Sequence, residues 1–455
     1  MGAIMDKQIK TYIIIAILLT SVSVVIALSK PLFIAIGATC LITFFLIREK
    51  ASLPNLIRLN TQSVSKTMLL MFLISITIPV LMSSGTLPTL IYHVSNLMVG
   101  HNLLLSAFII STMLSMVLGS ALGTLTILLP LFSSISFQAG IEYPFLIGAL
   151  ISGVYIGDRC SPLSSGLHLL SQITDTDYVS NMKVLLKSAI LPFMLSCMFF
   201  FLLGRDTVIS AQMIETNHLL PEFYDIHVWR LLPLVLMVML LLIKVPITRV
   251  LTIVFLICAV ISIGQQIDFP NLLFNGYHSP VPELATFLKT SGFRQMVNVI
   301  LVIFLSGILN SLLEADHLMT YIIAPFVKNI SSSKKLIFNT GLLSILLSMV
   351  TCSQAMTAMV SGKYMASYFE AHKVKKEYLV MATANTGLNV VALIPWNVNG
   401  IMIKQLTGVP TINYFIYSVF VLLLTLLTLF VYPSVLSKTA KVSATTLSDE
   451  NTMKF

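Results

Sequence analysis

Long apolar stretches separated by short polar connections dominate the sequence. Between Lys66 and Glu142 there is no Asp, Glu, Lys or Arg, which leaves room for three membrane crossings, or for two and a re-entrant segment, at about 20 residues each. Other uncharged apolar runs lie at about 11–29, 31–47, 188–204, 250–267, 295–313, 336–362 and 405–437. These runs are solid rather than alternating, so they predict helices and not the strands of a membrane barrel. We therefore predict an all-α polytopic membrane protein with about 11 or 12 membrane segments.

The composition agrees with a chain that faces lipid. Of the 455 residues, 56% are hydrophobic and 10% are charged, whereas a soluble domain carries roughly 25% charged residues. The first apolar run follows Lys7 and Lys10, as a signal peptide would. However, Ala27-Leu-Ser-Lys30 is a poor cleavage site, so we expect a retained first helix. The five cysteines are scattered and form no CxxC pair, which favours simple packing roles.

The formal net charge of +9 does not indicate nucleic-acid binding, because the basic residues flank the apolar runs instead of forming one patch. The connection at 205–229 is acidic by comparison. Positive residues stay on the cytoplasmic side, which predicts a multi-pass protein of the inner or plasma membrane with both termini in the cytoplasm and 205–229 outside. The flanking basic residues are Lys7, Lys10, Arg48, Lys50, Arg58, Lys66, Lys244, Arg249, Lys328, Lys334, Lys335, Lys373, Lys375, Lys376, Lys438 and Lys441.

The apolar runs divide the chain into two membrane halves. We assign residues 1–204 to the first half and 294–436 to the second, with an outward loop, two linking helices and a connection at 205–293 and a cytoplasmic tail at 437–455. Each half holds two polar patches about 35 residues apart, at 119–130 and 157–166, then at 351–354 and 385–400. Paired interruptions at matching positions predict inverted repeats with broken helices or re-entrant hairpins, and they indicate a transport site.

The first-half patches combine one carboxylate with hydroxyl groups. Asp158, with Ser161, Ser164 and Ser165 nearby, offers hard oxygen ligands for Na⁺, and the same carboxylate can take a proton. The alternative is that Asp158 belongs to an ordinary charged pair just past the end of a span. Thr124 extends the patch that begins with Gly119-Ser-Ala-Leu-Gly123, although this GxxxG pattern is also typical of close helix packing.

The second-half patches are neutral. Their amide and hydroxyl oxygens are candidate ligands for a cation or a zwitterionic solute, and the alternative is a set of hydrogen bonds between helices. The candidate residues are Thr351, Ser353, Gln354, Asn385, Thr386, Asn389 and Asn397.

Enzymatic motifs are missing from the sequence. Ser361-Gly-Lys363 lacks the earlier glycine of a P-loop, and there is no HExxH or metal-spaced Cys/His cluster. We therefore expect a transporter and not an enzyme, with no cofactor, and with Na⁺ and protons as its transported or coupling ions. The only metal we expect is Na⁺ at Asp158.

Three of the patches resemble the NhaC-type sodium/proton antiporter family of the ion-transporter superfamily. Gly157-Asp-Arg-Cys-Ser-Pro-Leu-Ser164 is similar to the family segment G-D-K-x-S-P-L-S, Thr351-Cys-Ser-Gln354 to T-C-N-Q, and Leu393-Ile-Pro-Trp-Asn397 to L-I-P-W-N. The resemblance implies inverted repeats, an inner-membrane location and exchange of Na⁺ for protons. Carried over by position, it implies site roles for Asp158, Ser161, Ser164, Thr351, Gln354, Thr386 and Asn397.

The sequence also departs from that family where carboxylates are usual. Ser165 replaces an Asp after S-P-L-S, and Ala384-Asn385 replaces a Glu-Asp pair. The favoured function is Na⁺/H⁺ antiport through Asp158. The alternative is Na⁺- or H⁺-coupled transport of a small organic solute, which would be an amino acid or a carboxylate. A third hypothesis is a membrane scaffold or receptor that does not transport. The partners we expect are membrane lipid, the ions, that solute in the alternative case, and a second copy in a homodimer.

Overall fold

The computed structural model describes residues 2–28, 30–47, 50–210, 217–263, 268–285, 288–290, 292–328 and 330–435. The tail at 437–455, with Lys438 and Lys441, and the residues Arg48 and Glu215 lie outside the described residues. Within the described ranges, the α-helices are α1 Gly2–Ala27, α2 Leu32–Leu46, α3 Leu53–Ser83, α4 Thr86–Met98, α5 Leu103–Leu118, α6 Ala121–Ala139, α7 Tyr143–Cys160, α8 Ser165–Thr174, α9 Tyr178–Leu203, α10 Leu220–Phe223, α11 Leu232–Leu242, α12 Ile247–Ile263, α13 Phe269–Asn275, α14 Pro282–Ala285, α15 Phe293–Ala315, α16 Leu318–Val327, α17 Ser333–Thr351, α18 Gln354–Ala371, α19 Lys376–Asn385, α20 Val398–Thr407, α21 Thr411–Tyr414 and α22 Val419–Leu426. A π-helical turn, Leu427–Val431, continues α22, and 3₁₀ turns lie at Arg205–Thr207, Val228–Leu231 and Val390–Leu393.

The all-α polytopic architecture is confirmed. Seven helices in the described ranges are long and apolar enough to cross a membrane, and the pair Asn217–Phe223 and Val228–Leu242, bent by 96°, would add an eighth. The described ranges also contain shorter apolar helices of 10–17 residues, among them Leu103–Leu118 and Val419–Val435. The 11 or 12 expected segments therefore include several that are too short to span alone, because polar breaks interrupt the hydrophobic runs.

A helical hairpin, here called the first hairpin, consists of α5 and α6. The helices α5 and α7 run parallel, because Gly153 lies against Ser111 and Gly157 lies against Ser115, one turn further along both helices. The intervening α6 must return from the end of α5 to the start of α7, where Phe137 contacts the Tyr143 ring at 5.6 Å. The start of α5 and the end of α6 therefore lie at the same end of the molecule, and the tip of the hairpin lies beside Asp158 in the last turn of α7.

The second hairpin, α17 and α18, has the same construction in the second half. His372, just after α18, contacts the carbonyl of Ile330, just before α17, at 3.4 Å through its Nε2. Gly362 of α18 packs against Ile173 and Thr174 of α8, so α18 and α8 lead to the same end of the molecule. The two hairpins therefore enter from opposite ends.

Each hairpin tip is built by the same local sequence logic. A residue with left-handed backbone, Gly119 (φ 66°) or Cys352 (φ 54°), ends the first helix. A serine then caps the next helix, with Ser120 Oγ accepting from Gly123 N at 3.3 Å and Ser353 Oγ accepting from Met356 N at 3.4 Å. The Gly119–Gly123 pattern therefore crosses a helix break and does not form the face of one packing helix.

The helices α2 and α3 pack against α15 and join the two halves. Asn60 Nδ2 donates to Ser311 Oγ at 2.8 Å in a buried bond between α3 and α15. Lys7 Nζ lies 2.9 Å from the buried Asp316 carboxylate, just after α15. The start of α1 and the end of α15 therefore lie at one end of the molecule.

Candidate functional site

Asp158 lies at the centre of the molecule, in the last turn of α7, and is 9% exposed. Its Oδ1 accepts the backbone N–H of Ala121, the first residue of α6, at 2.8 Å. The N-terminus of a helix carries unpaired N–H groups and a partial positive charge, which favour an anion at this position. The tip of the first hairpin therefore binds the Asp158 carboxylate through a backbone N–H group.

Gln354 brings the second hairpin to the same carboxylate. It is the first residue of α18, and its Nε2 donates to Asp158 Oδ2 at 2.9 Å and to the carbonyl of Leu388 at 3.2 Å. Leu388 lies in the irregular backbone between α19 and α20. One amide thus joins the carboxylate to the broken segment of the other half.

The serines that follow Asp158 shape the break between α7 and α8. The Ser164 hydroxyl donates to the carbonyl of Asp158, and Ser164 Oγ accepts from Leu167 N at 3.1 Å as the N-cap of α8. Ser161 donates to the Met116 carbonyl at 2.7 Å. Ser165 is exposed, and the Thr124 hydroxyl bonds to the Ser120 carbonyl of its own helix turn at 2.8 Å. Among these predicted residues, the contacts place only Ser164 directly on Asp158.

The second-half residues form a buried network beside the site. Thr386 Oγ1 and Ser344 Oγ are 2.7 Å apart, and Ser348 donates to the Gly387 carbonyl at 2.7 Å. Asn397 caps α20 and donates to the Ser348 carbonyl at 3.2 Å. These bonds tie the break between α19 and α20 to α17.

The remaining second-half candidates lie on two sides of that network. Thr351 Oγ1 donates to the Ser353 carbonyl at 3.2 Å and so supports the tip of the second hairpin. Asn389 Nδ2 donates to the carbonyl of Val421 on α22 at 3.0 Å. Asn385 Oδ1 accepts from Arg159 Nη1, while its Nδ2 donates to Ser188 Oγ and Thr428 Oγ1, both at 3.1 Å.

A cavity of about 780 Å³, here called the entrance cavity, reaches the site from one end of the molecule. The start of α6, the start of α8 and the start of α18 line it, with Ser120, Ser165 and Gln354 as examples. Lys66 and Lys244 also line the cavity. Both are predicted to lie in cytoplasmic connections, but Lys66 lies within α3. The site is therefore reached from the end that carries those lysines.

The cavity is also lined by His168. Its ring is exposed and stacks on Tyr178 with centroids 4.0 Å apart. Within the described residues, no three His, Cys, Asp or Glu side chains come together as a metal cluster. A Na⁺ ion at Asp158 would therefore take its other ligands from neutral oxygens.

The sequence profile of the Na⁺/H⁺ antiporter family matches residues 3–166 and 153–434. These matches cover both hairpins, both breaks and the Asp158–Gln354 pair. The chain belongs to the Na⁺/H⁺ antiporter family. It is therefore a multi-pass secondary transporter, as the sequence predicts.

Curated relatives of this chain differ in the cargo that their names state. The chain is 26% identical over 342 residues to the malate-2H⁺/Na⁺-lactate antiporter of Bacillus subtilis (strain 168), covering 73% of each chain. It is 23% identical over 361 residues to the Na⁺/H⁺ antiporter NhaC of that strain, covering 76% of this chain and 79% of the relative. It is 24% identical over 360 residues to the arginine/ornithine antiporter ArcD of Halobacterium salinarum, covering 76% and 74%.

The residues that sequence reasoning missed act mainly through their backbone. The Ala121 N–H and the Leu388 carbonyl carry no side-chain signal, although Ser120 two residues after the helix end is a recognisable cap. Ser344 and Ser348 lie inside an apolar run, where they are typical helix-packing residues. A spacing of four between those two serines places them on one face of α17. This spacing is the sequence pattern that points to them as partners of one polar network.

Proposed function

We propose that Na⁺ and a proton exchange at the Asp158 carboxylate. The observation that carries this proposal is the position of Gln354 Nε2, which donates to Asp158 Oδ2 and to the Leu388 carbonyl at once. A Na⁺ ion in this position would meet the same two oxygens. A half-turn of the Gln354 amide would exchange its nitrogen for Oε1 and would supply a third oxygen ligand.

Na⁺ and the proton would compete for one group. Protonated Oδ2 is neutral and can donate to the Leu388 carbonyl or to the rotated Gln354 amide, while the charged carboxylate binds Na⁺. The Ala121 N–H donates to Oδ1 of the same carboxylate. When Oδ2 binds Na⁺ or a proton, it no longer needs the hydrogen bond from Gln354. Ion binding is therefore coupled to the position of the second hairpin tip.

The entrance cavity supports access from the cytoplasm. Its walls include Lys66 and Lys244, and basic connections are typical of the cytoplasmic face. We propose a cell-membrane location with both termini in the cytoplasm, because basic residues flank the first and the last apolar run. Alternating access would then open the same site from the end where the first hairpin enters. A homodimer and contact with membrane lipid remain part of the proposal.

A sodium pulse tests this function. The purified chain is placed in liposomes that contain a pH dye but no organic solute, and external Na⁺ is added. Exchange of entering Na⁺ for leaving protons should make the lumen alkaline, while an equal K⁺ pulse should not. A lumen pH that ignores Na⁺, in vesicles whose dye still responds to a proton ionophore, contradicts the proposal.

A second candidate is coupled exchange of a small organic solute. The names of two relatives state such cargo, malate and lactate in one and arginine and ornithine in the other. Within this chain, the entrance cavity is lined by Lys66 and Lys244, and its described lining includes no Asp or Glu. Such walls attract anions more than cations. Uptake of a labelled carboxylate that requires a Na⁺ gradient would support this candidate, and equal uptake with and without the gradient would exclude it.

A further inference from the structure

Arg159 is the buried charge that the exchange reaction leaves unused. It follows Asp158 in the last turn of α7 and is 4% exposed. Successive residues of a helix point in directions about 100° apart, and the two side chains go to different neighbours. The Asp158 carboxylate bonds to Ala121 and Gln354, whereas the Arg159 guanidinium contacts Asn385 of α19 and Phe420 of α22.

The guanidinium uses only part of its donor capacity. Nη1 donates to Asn385 Oδ1, while Nε and Nη2 have no hydrogen-bond partner among the described protein groups. Nε and Nη2 share one edge of the guanidinium plane, and their N–H groups form a fork that matches the two oxygens of a carboxylate. A buried cation whose N–H donors lack acceptors costs free energy.

The neighbours of the guanidinium are hydroxyl and aromatic groups. Phe420 lies with its ring centroid 5.5 Å from Cζ of Arg159. Asn385 Nδ2 donates to Ser188 Oγ and Thr428 Oγ1, which links these hydroxyls to the residue that holds the guanidinium. Ser188 and Thr428 thus connect to the guanidinium only through Asn385, and none of these four residues carries a negative charge.

The backbone is also irregular at this cluster. Thr428 belongs to the π-helical turn Leu427–Val431, and π-helical turns occur frequently at functional sites. Pro192 cannot donate to the carbonyl of Ser188 four residues earlier in α9. The Tyr432 hydroxyl donates to that carbonyl instead, at 2.7 Å. The regular backbone hydrogen bonding of α9 and of α22 is thus interrupted close to Asn385, which accepts from Arg159.

We propose that the Nε–Nη2 edge of Arg159 binds the carboxylate of a small organic anion. This inference rests on the second candidate function and names its site and its class of substrate. The lysines of the entrance cavity attract the same class of solute. Asp158 and Arg159 would then bind a cation and an anion on two sides of α7, so one movement of that helix end would carry both.

The test measures thermal unfolding of the purified chain with separate additions of lactate, malate, chloride and inorganic phosphate at equal Na⁺ concentration. A ligand that binds the folded state raises the unfolding temperature in a saturable way. We expect at least one of the two carboxylates to do so and the two inorganic anions to have no such effect. No shift with either carboxylate, or an equal shift with chloride or phosphate, overturns the proposal.

Two variants distinguish the paired N–H donors of the Arg159 guanidinium from its positive charge. Arg159→Lys keeps the positive charge but loses the paired donors, so the half-saturating carboxylate concentration should rise at least tenfold. Asn385→Asp is nearly isosteric and gives Arg159 a fixed counter-ion, so it should weaken carboxylate binding similarly. The matched control is Arg249→Lys, which makes the same change at an exposed position. Unchanged half-saturation in both site variants contradicts the proposal.

The sodium pulse without carboxylate is run on the same preparations. If the wild-type protein fails that pulse but binds a carboxylate through Arg159, then Na⁺/H⁺ exchange at Asp158 is wrong and the anion site stands. If the pulse succeeds and no carboxylate binds, then the anion site is wrong and the exchange stands.

Discussion

The two helix breaks both end at a polar N-cap, Ser164 or Asn397, but they differ in length and in chemistry. In the first half, residues 161–164 separate α7 from α8, and Asp158 and Arg159 precede this break as a pair of opposite charges. In the second half, residues 386–397 separate α19 from α20, and the polar residues there are neutral. Both breaks therefore position polar groups. Of the two, the first has the charged residues Asp158 and Arg159 beside it, whereas residues 386–397 are all neutral.

This difference teaches that a repeated fold does not require a repeated function for its parts. Ser120 and Ser353 cap equivalent helices, yet one helix start binds a carboxylate through Ala121 N–H and the other presents the Gln354 amide. A carboxylate between a fixed donor and a movable amide can change its ligand with little rearrangement. The variants below test this division of labour.

The largest effect is expected for Asp158→Asn. Because Asn neither titrates nor carries charge, Na⁺-driven proton movement should fall by roughly 100-fold or more, while the near-isosteric side chain still accepts from Ala121 N–H. The measurement is the initial rate of pH change in liposomes. Asp177→Asn is the control, since Asp177 is an exposed helix cap and Asn caps equally well. Retention of the full rate by Asp158→Asn would remove Asp158 from the mechanism.

The backbone is closely packed at both breaks, and alanine substitutions of the glycines test this packing. A Cβ on Gly157 would lie 2.1 Å from the Ser115 backbone, and a Cβ on Gly387 would lie 2.5 Å from the Ser344 carbonyl oxygen. Each substitution should lower the free energy of unfolding by about 1–3 kcal/mol, as measured by thermal unfolding in detergent. Gly166→Ala should be tolerated, because the nearest atom to its Cβ is 3.6 Å away. Equal stability in all three variants would show that the breaks are not packed as described.

Removal of the neutral partner should have an intermediate effect. Gln354→Ala takes away the amide that contacts Asp158 Oδ2, so the Na⁺ concentration for half-maximal rate should rise about tenfold, or about 1.4 kcal/mol. The maximal rate should change less than this concentration. Gln62→Ala, on an exposed position of α3, serves as the control. An unchanged Na⁺ dependence would mean that the second hairpin does not contribute to ion binding.

The smallest effect is expected in the network that supports the second break. Thr386→Val removes the hydroxyl that contacts Ser344 and should cost about 1 kcal/mol of unfolding free energy. The Na⁺ dependence should stay the same, because this hydroxyl does not contact Asp158. Thr252→Val removes an exposed bond within α12 and should be nearly neutral. A shift in Na⁺ dependence for Thr386→Val would extend the binding site into the network.

Much of this architecture could be predicted from the pattern of apolar and polar residues. Solid apolar runs predict helices, and the serine caps and the prolines locate the breaks within them. Asp158 and Gln354 were both candidates from the sequence, but their contact spans 196 positions and no local pattern encodes it. Asn385 and Asn389 are equally polar in the sequence, yet they bond to Arg159 and to the α22 carbonyl of Val421, because the irregular backbone directs each side chain separately.

The central claim is that Na⁺ and the proton compete for one carboxylate, and the pH dependence of the Na⁺ requirement tests it most directly. Initial exchange rates in liposomes are measured over a range of Na⁺ concentrations at several pH values. With one shared site, the half-maximal Na⁺ concentration rises about tenfold for each unit of pH decrease below the pKa of that site, and the maximal rate is recovered at high Na⁺. A half-maximal Na⁺ concentration that stays constant across this range, with pH altering only the maximal rate, would contradict the account.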